Sequence, residues 1–198
     1  MLTVLFVLPT IVGQTRGGVS RVTFLLTQGL IMRGIRVIYL INERNSIDAT
    51  PVPVYFFPST DYHSQENVTF YHNFLREHHV DIVINQCGLF EDSVLYLNVG
   101  DNKCKTISVL HGNPILNYEH LASEELVLKD NSLMGFLKLI ARFCLYPRIQ
   151  RSYITYRREQ FKFLFANSDK ICLLSNSHLG DFEKYYKSYD RNKIIAIP

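Results

Sequence analysis

No stretch of the chain approaches the roughly 20 consecutive apolar residues that a bilayer-spanning helix needs. The first eight residues are apolar, but no basic segment precedes them and Pro9 ends the run early. They suit a buried first strand rather than a signal peptide. The four cysteines (Cys87, Cys104, Cys144 and Cys172) are far apart, without a CxxC pair or a Cys/His zinc spacing. Metal is therefore not expected, and the thiols read as reduced and mostly packed, which suits the cytosol. A strong charge of either sign is also missing. The formal net charge is +3 over 198 residues, too mild to point to nucleic acid without clustering on one face. What is present is globular: 47% hydrophobic and 20% charged residues. That is enough for one sizeable domain, or one plus a fragment.

The chain is organised around the stretch 13–21, GQTRGGVSR, between an apolar run at 2–8 and an amphipathic segment at 19–32. This pattern reads as strand, glycine-rich turn and helix. Glycine permits close backbone approach to a ligand. The following helix aims its unpaired N–H groups at the same point, so a phosphate is the expected guest and a plain tight turn the alternative. Strand 36–41 follows and completes a βαβ unit, which implies a parallel sheet.

Further along, strands are expected at 54–57, 81–85, 106–110, 170–174 and 193–197. Helices are expected at 64–78, 93–99 and 177–187. Residues 114–166 break the rhythm and hold two or three helices without a strand. The whole predicts a Rossmann-like, doubly wound, mainly parallel α/β sheet with a helical insertion around 114–166. Ligands of such sheets bind at the carboxyl ends of the strands, where loops 9–18, 57–63, 85–88, 111–114 and 175–177 should converge. Since the sequence stops at Pro198 directly after the last strand, the expectation is a single domain, 1–198, of a longer protein.

Laid out in this order, the sequence resembles the N-terminal, acceptor-side domain of a family-4 glycosyltransferase of the two-Rossmann GT-B type. The segment 17–22, GGVSRV, is similar to that family's GGxxR turn and helix start. TISVLHGNP at 106–114 resembles its strand ending in a histidine loop. The strand–helix at 170–182 and the closing NKIIAIP resemble the family's later segments. The resemblance implies retaining, metal-independent transfer of a sugar from a nucleotide-sugar donor to a glycan or lipid-linked acceptor. It further implies that a C-terminal domain holds the nucleotide, so that this chain should be inactive alone.

Residue by residue, the resemblance places Gly17 and Gly18 against the donor diphosphate, with Arg16 adding charge. It places His111 beside the transferred sugar, where a positioned donor can orient reactants as the catalytic residue. Gly112 permits close approach. Asn85 and Gln86 can both donate and accept bonds to acceptor hydroxyls, and Cys87 ends the same strand. His63, with Asp61 and Tyr62, lies on the acceptor side, and Asn176 either touches ligand or caps a helix. His72, His78 and His79 read as solvated helix-end residues.

The segment 133–162 carries Leu133, Phe136, Leu137, Ile140, Phe143 and Cys144 on one helical face, with Lys138 and Arg142 opposite and five more basic residues downstream. A basic amphipathic helix can lie on an anionic membrane. The chain would then be cytoplasmic but peripheral on the inner face of the cell membrane. The alternative is ordinary packing on the sheet. At the level of function, the competing readings are a non-catalytic Rossmann-like module that binds a carbohydrate or nucleotide, and a partner-binding protein that docks through 114–166.

Overall fold

The computed structural model describes residues 1–10, 17–43, 50–89, 91–112, 130–187 and 189–197. Seven strands form one sheet: β1 (Thr3–Leu8), β2 (Arg36–Ile41), β3 (Val54–Phe56), β4 (Ile82–Asn85), β5 (Lys105–Leu110), β6 (Lys170–Leu173) and β7 (Ile194–Ala196). Their order is β3-β2-β1-β4-β5-β6-β7, and every neighbouring pair is parallel. Each strand expected from the sequence is present. β1 is buried along its whole length, as a strand covered on both faces must be.

Alternation along the strands divides the core in two. Leu5, Val7, Ile38, Leu40 and Val83 face one side and pack under α2 (Gln65–Glu77) and α3 (Ser93–Tyr96). Further along that side, Ile171 and Leu173 pack with Phe161, Leu164 and Phe165 of the long helix α4 (Leu133–Asn167) and with Phe182 of α5 (Ser177–Tyr185). Val4, Phe6, Val37 and Tyr39 face the opposite side and pack against Phe24 and Leu30 of α1 (Gly17–Ile31).

The helices differ from expectation in four ways. First, α1 forms, but its fully buried positions are Thr23 and Thr27, while Val19, Val22, Leu25 and Leu26 remain 39–53% exposed. The inward threonines are tolerated because both hydroxyls are satisfied. Thr23 Oγ1 donates to the Val19 carbonyl at 2.8 Å, and Tyr39 Oη donates to Thr27 Oγ1 at 2.7 Å. Second, the expected helix at 93–99 is a single turn. Third, residues 133–167 form one helix of 35 residues that runs through Pro147, while 113–129, where the rest of the expected insertion falls, lie outside the described residues. Proline forfeits one ladder bond, yet this one stands on an exposed stretch where no packing has to reform around it.

The fourth difference concerns histidines. His72 Nε2 lies 3.0 Å from the Asn98 carbonyl, and His78 packs 4.2 Å from the Phe74 ring and 4.8 Å from that of Tyr55. Burial, with Arg36 beside it, holds the His78 imidazole below its ordinary pKa. Neither residue is a solvated helix end, whereas His79 is exposed. Of the cysteines, Cys87 and Cys104 are buried, Cys172 is half-buried and Cys144 is exposed, all unbridged.

Candidate functional site

The strand order reverses direction at β1. From there the chain goes to β2 on one side, while β4 flanks β1 on the other. The carboxyl ends of two such strands splay their loops apart and open a crevice. A cavity of about 720 Å³ occupies that place. Its floor is Leu8, Pro9, Gln86 and Cys87, and α1 contributes Val19 and Ser20. Tyr62 comes from the loop after β3, Asp92 from the turn before α3, and Tyr156, Arg157 and Gln160 from α4. A second cavity of about 550 Å³ lies at the opposite, amino-terminal ends of β5 and β6, against Thr106, Asn167 and Asp169. None of the strand carboxyl ends reaches it.

Several expected residues come together here. Gln86 and Cys87 line the cavity. His111, at the end of β5, is half-buried and bonds through Nε2 to Gln86 Oε1. With the amide oxygen as acceptor, Nε2 carries the proton and Nδ1 keeps its lone pair. Burial holds this imidazole below its ordinary pKa, so it is neutral at pH 7. Gly17 begins α1 with φ +76, a conformation that favours glycine. The next residues of that helix, Val19 and Ser20, stand in the cavity wall. Gly18 follows, and among the described residues nothing lies within 4 Å of where its Cβ would stand. Arg16 lies outside the described residues.

Other expected residues stand apart. Asn85 is fully buried beneath the site, and its amide is spent inside the protein. Its Nδ2 donates to Ser93 Oγ at 3.0 Å and Ser108 Oγ at 3.3 Å, and its Oδ1 accepts the Cys87 N–H at 2.9 Å. Cys87 turns a buried thiol toward Asp92. Burial first, and the neighbouring carboxyl second, push that thiol well above its ordinary pKa, which disfavours the thiolate that a nucleophile needs. His63 is exposed, and its N–H donates to Asp61 Oδ1 at 2.9 Å. Gly112 is exposed at the edge of the His111 loop. Asn176 sits at the N-cap of α5 but makes no side-chain cap bond, and Ser175 Oγ accepts the Ser177 N–H instead. The Asn176 side chain is thus exposed and outside the cavity.

Sequence reasoning missed Asp92, Arg157 and Gln160. Arg157 Nη1 donates to Gln160 Oε1 at 2.8 Å, and Gln160 Nε2 donates to the Leu89 carbonyl at 2.9 Å. This clamp ties α4 to the loop after β4. Burial pulls the Arg157 guanidinium below its ordinary pKa, although it stays a cation. In sequence Arg157 and Gln160 belong to a basic helical stretch, and nothing in their spacing or in that of Asp92 marks them as cavity residues.

No protein-family model matches the sequence, and no curated protein matches it either. Among solved structures, the chain is similar over its whole length to sucrose-phosphate synthase from Thermosynechococcus elongatus, with a TM-score of 0.61 at 12% identity. It is similar over 98% of its length to Os79 from O. sativa, a structure in complex with U2F and trichothecene, with a TM-score of 0.52 at 12% identity. At this identity the likeness is one of fold: a Rossmann-like α/β domain with a parallel sheet. The chain covers 48% of the synthase and 52% of Os79, about half the length of each.

Proposed function

We propose that the chain is the acceptor-binding half of a glycosyltransferase that moves a sugar from a nucleotide-sugar donor to a hydroxyl of a glycan or lipid-linked acceptor. The observation that carries the reading is the crevice between β1 and β4. Beside it His111, at the end of β5, bonds to the lining residue Gln86, and α1, which lends Val19 and Ser20 to the wall, opens on Gly17. A second domain, on this reading, holds the nucleotide and closes over the crevice. The Gly17-Gly18 turn then meets the donor diphosphate, where the N–H groups and dipole of α1 stabilise the charge that develops on the leaving group. His111 orients the reacting sugar. Retention of configuration and independence from metal follow from the family-4 resemblance, as does a place for Arg16 at the phosphate.

The test is release of nucleoside diphosphate from nucleotide-sugars by the full-length protein, with and without candidate acceptors. Failure of every donor to turn over would sink the transferase reading and leave the non-catalytic binding module. Gly18→Val sharpens the test. Among the described residues a Cβ at Gly18 meets nothing within 4 Å, so the variant should melt within about 0.5 kcal/mol of the parent, as surface substitutions do. In the full-length protein it should still raise the donor KM severalfold, because the side chain stands between turn and ligand. An unchanged KM would remove the turn from the donor site.

A peripheral membrane role is favoured by one further observation. Leu133, Met134, Phe136, Leu137, Ile140 and Phe143 are 47–78% exposed. Among the described residues, the core contacts of α4 lie at its other end, at Phe161, Leu164 and Phe165. Between 133 and 158 the chain has six basic residues and no acidic one. None of the described helices is long and apolar enough to cross a membrane. On this reading α4 lies on an anionic leaflet and presents the cavity to a lipid-linked acceptor. The chain should co-sediment with phosphatidylglycerol vesicles and not with phosphatidylcholine vesicles, and binding should weaken as salt rises. Equal recovery in the supernatant with both lipids would reject the membrane role.

A further inference from the structure

Asp92 is 4% exposed and lines the cavity at the end of β4. Among the described residues, its Oδ1 is buried without a hydrogen-bond partner. A carboxylate oxygen left in that state costs free energy unless something else satisfies it. Helix capping does not explain the acid. Asp92 occupies the N-cap of α3, yet its side chain makes no cap bond there, and asparagine would serve a cap equally well. Nor does an ion pair explain it, since no salt bridge to Asp92 occurs among the described residues.

The rest of the cavity indicates what would satisfy the carboxylate. Tyr62 and Tyr156 supply flat apolar walls, and Gln86, Arg157 and Gln160 supply planar polar groups. A few directed polar groups in a mainly apolar wall are the usual makeup of a small-molecule site. The missing partner must donate a hydrogen bond. Glu91 on the same wall makes an anionic group a poor match beside Asp92, so a neutral ligand rich in hydroxyls fits best. We propose that Asp92 is the specificity-determining anchor for a polyhydroxylated acceptor, its Oδ1 accepting a hydrogen bond from one acceptor hydroxyl in this cavity. The proposal rests on the acceptor-binding reading above and identifies the residue that selects the acceptor.

The experiment is an NMR titration of the 198-residue chain with the methyl glycosides of glucose, galactose and mannose and with myo-inositol. At least one should shift the amides of Cys87, Asp92 and Gln160 in a saturable way. Asp92→Asn should weaken that binding at least tenfold, about 1.4 kcal/mol, while its melting temperature stays equal to or above the parent's, because a buried carboxyl with an unmatched oxygen has been replaced by a neutral amide. A purely structural Asp92 would give the reverse: a lower melting temperature and unchanged affinity.

A second readout needs no variant. The Asp92 carboxyl, followed by its 13C shift, is flanked by Cys87, Glu91, Tyr62 and Tyr96. Its pKa should fall when the sugar binds, since a hydroxyl donating to the carboxylate favours the charged form. Sugar binding that leaves both the Asp92 pKa and the Asp92→Asn affinity unchanged would overturn the anchor and spare the acceptor reading. No cavity shift with any of the four ligands, up to their solubility limits, would overturn both.

Discussion

His111→Ala in the full-length protein is expected to lower kcat by about a hundredfold, the low end of what one positioned acid–base or hydrogen-bonding group contributes at a reacting centre. The domain should stay folded, because His111 is half-buried at a strand end and the side chain it releases, Gln86, borders a cavity that admits water. Acidification should act in the same direction. Burial holds the folded imidazole below its ordinary pKa, which is about 6.5. The neutral form is therefore the one the fold favours. Whatever stability or activity depends on it is complete above pH 6.5 and is lost as pH falls through the lower folded value. The acid limb of kcat/KM should thus have its midpoint below 6.5, and it should disappear in His111→Ala. A variant with the parent's turnover, or an acid limb that survives the substitution, would take His111 out of the reaction. Gln86→Leu separates orientation from chemistry. It leaves the imidazole in place but removes the acceptor that fixes Nε2 as the protonated nitrogen, so it should cost part of the rate rather than all of it.

The sheet was largely legible from sequence, and the cavity only in part. Strands buried on both faces need near-continuous apolar runs, and 3–8, 36–41 and 82–84 are such runs. Their polar ends, Asn85-Gln86-Cys87 and His111-Gly112, mark where the strands stop and a ligand can begin. Helix faces were harder to read. The apolar spacing of α1 foretells a helix, but Thr23 and Thr27 turn inward because Tyr39 and the Val19 carbonyl satisfy them, and such partners are invisible to periodicity. Pro147 suggests a helix boundary, but α4 continues past it and is held at its far end by Phe161, Leu164 and Phe165. The far wall of the cavity comes from that same helix. Gln160, held by Arg157, reaches Leu89 across 71 positions of chain, and contacts at that range leave no local pattern. Asp92 resembles any N-cap acid until the missing cap bond and the unmatched oxygen are seen together.

Asn85→Ala is expected to be among the most destabilising single substitutions near the site, by about 3 kcal/mol. Deleting one member of a buried network strands the others at about 1–3 kcal/mol apiece, and here three groups are affected. Asn85 accepts the Cys87 N–H and donates to Ser93 and Ser108. The network runs on from there, with Ser93 Oγ donating to the Gly88 carbonyl at 2.8 Å and Ser108 Oγ lying 2.8 Å from Ser168 Oγ. One amide thus joins β4, α3, β5 and the end of α4, and shapes the turn that presents Gln86 and Cys87. At roughly 2–4 °C per kcal/mol for a chain of this size, the melting temperature should fall by about 6–12 °C. Relief is partial at best, since water would have to enter a fully buried site. The same variant distinguishes two roles for Asn85. Its expected place among acceptor-binding residues requires an amide that faces the ligand, whereas the observed amide faces the core. If Asn85→Ala melts with the parent and loses only acceptor affinity, the side chain works at the surface of the site and the buried network is not what holds the turn. A large drop in melting temperature, with acceptor affinity recovered when stability is restored by low temperature, identifies Asn85 as the support beneath the site, and leaves recognition to the residues above it.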